Sequence, residues 1–148
     1  MSSVAIQELQ YTIAWYQKRI SELQKEISEL SKKKDALKQL ELTNNKRTYE
    51  FWDTLEIQKM RLHQICETQT IRYAEGHKRN LEGYLTGNRR SLVTSSLDEL
   101  ALALKQGTDK CGDDIFQRQQ SIRNYEREID YLQERIRYLQ MTMVQELI

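Results

Sequence analysis

From Ile6 to Leu37 the apolar residues recur at alternating intervals of three and four: Ile6, Leu9, Ile13, Tyr16, Ile20, Leu23, Ile27, Leu30 and Leu37. Lys34 is the one polar interruption. Isoleucine takes the a position of each seven-residue unit up to Ile27, and Leu or Tyr takes the d position. This spacing draws one stripe along a helix, the seam of a coiled coil. The C-terminal end repeats it with Ile115, Ile122, Tyr125, Ile129, Leu132, Ile136, Leu139 and Met143, Arg118 being the exception. The pattern predicts two heptad arms, residues 4–41 and 113–147.

Between the arms the repeat loosens. "LTNNK" at 42–46 reads as a weak break. "QGTDKCGDD" at 106–114 reads as a stronger one, with Thr108, Asp109 or Asp113 as candidate helix caps. Two middle segments follow, 47–75 and 88–106. Their apolar positions include Tyr49, Trp52, Leu55, Leu62 and Ile65, then Leu92, Leu97, Leu100 and Leu104. Ser96 with Glu99 fits a capping box, so a helix is expected to restart there. A central turn is placed at 76–88, around "EGYLTGNRR", where Gly83 and Gly87 supply the backbone freedom that reverses a chain.

The breaks lie at nearly equal distances from the chain centre. The expected fold is therefore all-α: an elongated antiparallel helical hairpin with a coiled-coil stalk, residues 1–148 forming one domain. In that register Ile6 lies near Leu139–Met143, Arg19 faces Glu128, and Lys33 faces Asp114. A parallel coiled-coil homodimer is the alternative, since Ile at a and Leu at d also favour it.

Composition supports long helices. The 148 residues contain no proline, where average usage gives about seven. Charged residues make up 30%, and mean hydropathy is −0.78. The net charge of +1 lacks the basic excess of a nucleic-acid binder, so none is expected as a partner. No apolar run approaches the roughly 18–20 residues that span a bilayer. "MSSVAIQELQ" has neither the basic nor the apolar region of a secretory signal peptide. The expected location is the cytoplasm, with co-export requiring a route that reads no such signal. Cys66 and Cys111 are then expected as reduced thiols.

Two helices cannot bury a seam completely, so further burial is expected from the middle segments, from another copy or from another protein. Tyr11 (f), Trp15 (c), Tyr131 (c) and Tyr138 (c) fall outside the seam at similar levels of the stalk, and exposed aromatics grouped this way mark interfaces. Trp52, Leu55, Leu97 and Leu100 are the partner-binding candidates of the middle. The four stalk aromatics can equally lie along the surface with their polar tips in water, and many of the candidates can be internal packing. His63 and Cys66 stand one helical turn apart, but no second ligand pair follows, so no metal or cofactor is expected. No phosphate-binding glycine loop or catalytic constellation is present, and no enzymatic activity is expected.

The helix, the short Leu85-Thr86-Gly87 turn and the following helix resemble the WXG-type hairpins of bacterial type VII secretion. "GNRR" after the turn is similar to the small α-helical proteins associated with LXG toxins, the YwqH-like group. That resemblance implies an adaptor or targeting chaperone for the helical N-terminal domain of an LXG-type toxin. A second small helical protein can join the complex, and a homodimer is an alternative state. Leu85 stands where the family has its turn tryptophan. The Tyr-x-x-x-Asp/Glu pattern of WXG exporters occurs only at Tyr49–Asp53, before the turn, so any export signal is expected to come from the partner. The alternative to the adaptor is a structural coiled-coil scaffold or tether that self-associates.

Overall fold

A computed structural model describes residues 2–68, 79 and 87–147. It contains two long helices: α1, Ser2–Thr68, and α2, Asn88–Leu147. They pack against each other in opposite directions, so the fold is an all-α helical hairpin. The predicted turn residue Leu85 and most of the segment 76–88 lie outside the described residues. Gly87 is described, and its carbonyl accepts hydrogen bonds from the Arg90 and Ser91 amides at 3.0 and 3.3 Å. Gly87 therefore starts α2 as its N-cap, a role glycine fills nearly as well as serine or threonine. No described glycine has positive φ, so the expected left-handed turn conformation does not apply at Gly87.

The chain divides into two compact units, one formed by Met1–Lys34 with Asp109–Ile148 and the other by Asp35–Thr108. In the first, Ile13, Ile129 and Ile136 form a buried cluster, with Ile6, Leu9, Tyr16, Ile20 and Leu132 packed on it. Leu23 and Cys111 are the most buried side chains, each 4% exposed. Tyr16 and Tyr125 meet across the seam with ring centroids 5.2 Å apart. Arg118, the exception in the heptad, has a reason: its Nε donates to Glu26 Oε2 at 2.9 Å across the pair, and its Nη1 donates to the Asp114 carbonyl. Arg118 thus spans the seam rather than interrupting it. The expected pairs Arg19–Glu128 and Lys33–Asp114 do not form. Arg19 turns along its own helix to Glu22 and Glu26, which are within shorter reach, and Lys34 rather than Lys33 reaches the opposite helix at Gly112.

The expected breaks are also absent. Residues 42–46 lie inside α1, and residues 106–114 inside α2. Thr108, expected as a cap, instead donates its hydroxyl to the Leu104 carbonyl at 3.0 Å, the back-bonded form of a mid-helix threonine. Ser96 and Glu99 likewise sit within a helix already running, so no restart occurs there. The glycines explain why the motif resembles a break. A Cβ on Gly107 would stand 3.3 Å from Leu37 Cδ1, and one on Gly112 would stand 3.3 Å from Lys34 Nζ. These glycines admit long side chains of α1, and close packing offsets the helix penalty of about 1 kcal/mol each.

The second unit has a different character. Its less exposed positions on α1 are Leu37, Glu41, Asn44, Thr48, Trp52, Leu55, Lys59 and Leu62. The step from Thr48 to Trp52 inserts an extra four-residue interval, a stutter in the heptad. On α2 the corresponding positions, Arg90, Thr94, Leu97, Ala101, Leu104 and Thr108, keep the heptad phase without interruption. Among the described residues of this unit no hydrophobic side chain is buried. Tyr49, Leu92 and Leu100, expected among the middle apolar positions, are exposed. The polar seam residues take inner positions there because the hydrophobic repeat has drifted out of phase.

Candidate interaction surfaces

Reversing one helix of a coiled coil brings like heptad positions to the same side of the pair. In the first unit Trp15, Tyr131 and Tyr138, all at c, therefore share one side, with Tyr11 at the adjoining f position. All four are exposed. Trp15 is anchored from beneath: its ring meets Tyr16 at 5.4 Å and Tyr125 at 6.1 Å, both edge-on. Such edge-to-face contacts hold an exposed indole in a fixed orientation. No ring contact joins Tyr11, Tyr131 or Tyr138 to this trio, so the aromatic cluster has Trp15, Tyr16 and Tyr125 as its centre and the other rings as outliers. Beside it, the Arg19 guanidinium has its pKa pushed further upward, chiefly by its hydrogen bond to Glu22, so it remains a fixed positive charge.

In the second unit Trp52, Leu55 and Leu97 occupy half-buried inner positions, whereas Leu100 is 47% exposed. Trp52 meets Phe51 edge-on at 5.1 Å, and the Arg90 guanidinium lies over the indole at 5.1 Å, a cation–π contact. Trp52 is thus largely committed inside the pair. Leu40, Phe51 and Val93, which the heptad of the arms does not mark, are exposed in this unit. The missing signal was phase. Only after the four-residue insertion at Thr48–Trp52 is applied do Leu40 and Phe51 fall at the same heptad position.

Among the described residues no group of three His, Cys, Asp or Glu side chains is placed to hold a metal, and no helix is long and apolar enough to cross a membrane. The Cys66 side chain lies outside what the structure describes, and His63 is exposed. An open depression on α2 is lined by Arg137, Gln140, Met141, Val144 and Gln145. The chain matches no family model, no curated protein and no solved structure.

Proposed function

We propose that the protein is a helical adaptor that binds the helical N-terminal domain of an LXG-type toxin and targets it to type VII secretion. The supporting observation is the exposed aromatic side of the first unit, with Trp15, Tyr131 and Tyr138 on one side of a preformed helix pair. Trp and Tyr supply large contact area at low entropic cost, and they are the residue types most enriched at binding hot spots. The turn and "GNRR" resemblance supplies the partner class. The adaptor lays its hairpin beside the toxin's helices, covers their apolar seams and keeps them from aggregating. The cytoplasm is where loading takes place, and the toxin carries the export signal.

Co-expression with an LXG N-terminal domain tests this. A stoichiometric complex is expected, and Tyr131→Ala with Tyr138→Ala is expected to lower its affinity at least tenfold while helix content stays unchanged. A toxin domain recovered alone and equally soluble with or without this protein would rule the adaptor out. The second reading, a self-associating scaffold, is favoured by the apolar surface left exposed in the second unit.

A further inference from the structure

Each heptad arm carries one polar interruption, and both interruptions are cations. Lys34 takes an a position of α1, and Arg118 takes a d position of α2. Both are half-buried in the first unit, and both are answered from the opposite helix. Arg118 Nε donates to Glu26 Oε2 at 2.9 Å, while Glu26 Oε1 lies 3.9 Å from Arg19 Nη1 on its own helix. Lys34 faces Gly112, where an added Cβ would stand 3.3 Å from its Nζ. In this register Lys34 is level with Cys111, and Arg118 with Ile27. Glu26 occupies a g position, and the g positions of α1 within this unit are Ala5, Thr12, Arg19, Glu26 and Lys33. Glu26 is the one acid among them.

We propose that Lys34 and Arg118, with Glu26 as the answering acid, select the antiparallel pairing of the arms and fix its register. Apolar matching alone leaves both open. A slip of one heptad again sets Ile, Leu and Tyr of one seam against those of the other, and Ile at a with Leu at d also suits a parallel pair. The cations separate these arrangements. A slip of one heptad in one direction brings Arg118 level with Lys34 and beside Lys33. The opposite slip gives Arg118 the g residue Arg19 in place of Glu26. A parallel in-register pair of two copies sets Lys34 against Lys34 and Arg118 against Arg118. Each alternative crowds like charges in the seam, whereas the observed register pairs one cation with its acid and gives the other a glycine to lie on. The Arg118–Glu26 pair is partly exposed and contributes little stability by itself. Its effect is differential: specificity comes from what the same residues cost in the competing arrangements. A charged residue at a single seam position is known to set register in this way, at some expense of stability.

This proposal goes beyond the adaptor reading and is tested on the full chain with no toxin present, so its failure leaves that reading untouched. Spin labels are attached through Gln10→Cys and Gln117→Cys, both at exposed positions, in a Cys66→Ser, Cys111→Ala background. In the observed register the two sites are separated by about 27 Å along the helix axis, and a slip of one heptad changes that by about 10 Å. Electron–electron distance measurement is expected to give one distance with the natural seam. Lys34→Leu with Arg118→Leu makes the seam wholly apolar; it is expected to keep its helix content and to add distances shifted by about 10 Å. Glu26→Arg with Arg118→Glu keeps an ion pair in the observed register. It also lets the acid at position 118 meet a base at positions 19, 26 and 33 alike, so it too is expected to spread the distances. That second variant separates selection of a register from the strength of one pair. A single unchanged distance in both variants overturns the proposal, as does more than one distance with the natural seam.

Discussion

Ile129→Ala and Ile57→Ala delete the same three carbons from positions of opposite character. Ile129 belongs to the buried cluster and is 8% exposed, whereas Ile57 is 43% exposed. At about 0.8 kcal/mol per buried carbon, the loss at Ile129 is about 2.4 kcal/mol in transfer free energy. A cavity penalty is added, but the seam of a helix pair is open at its flanks and relaxes readily. The total is expected at about 2–3 kcal/mol, the low end for large-to-small core changes. At Ile57 the smaller transfer loss is offset by alanine's better helix propensity, and the net effect is expected within about 0.5 kcal/mol. Urea titration of dilute protein, followed by the helical circular dichroism signal, reads both. With a slope of about 1–3 kcal/mol per molar, Ile129→Ala should lower the midpoint by about 1 M and Ile57→Ala by far less. Equal losses would show that Ile57 is covered in solution, and a negligible loss at Ile129 would show that the arms do not pair through this cluster.

Three further outcomes follow from the same contacts. Glu26→Gln removes the charge across the seam from Arg118; since both side chains are about a third or more exposed, the cost is expected below about 1 kcal/mol and should shrink in high salt, measured by the same titration. Gly112→Ala is expected to stabilise by about 0.5–1 kcal/mol, because its new methyl meets only the flexible end of Lys34, whereas Gly107→Ala should gain less because it presses on the half-buried Leu37; thermal melts of the two variants should rank them in that order. In a Cys66→Ser background the Cys111 thiol, 4% exposed in the seam, should react with a thiol reagent only as fast as the arms open, and Ile129→Ala should speed that reaction.

The arms were legible because each of their residues satisfies two rules at once. Ile13, Ile129 and Ile136 are apolar, and they fall on the heptad. The direction of pairing was legible from the symmetry of the two heptad arms about the chain centre. The breaks were misread because Gly107, Thr108 and Gly112 are the same residues whether they end a helix or let a neighbouring helix come close. Local propensity cannot separate those uses, and only the positions of Leu37 and Lys34 on the opposite helix decide it. The charge pairs failed for a related reason. Arg19 has carboxylates within one and two turns on its own helix, and a local partner involves less ordering than one across the seam. Of the eight partner candidates, Trp52, Leu55 and Leu97 take inner positions, and Tyr11, Trp15, Tyr131, Tyr138 and Leu100 are exposed.

The contrast between the two units has a physical consequence. In the first, apolar seam residues and inner positions coincide, and a buried cluster results. In the second, Glu41, Asn44, Thr48 and Lys59 hold inner positions while Leu40, Leu42, Tyr49 and Met60 are exposed. A sequence selected only to be a stable two-helix coil would place these residues the other way round. Polar residues in the seam let a helix pair form without making it self-sufficient, because half-buried Asn, Thr and Lys gain little from pairing and lose little on rearrangement. The exposed Leu40, Leu42, Tyr49 and Met60 contribute little burial to the pair itself. The buried cluster of the first unit and the polar seam of the second therefore follow from where each heptad places its apolar residues.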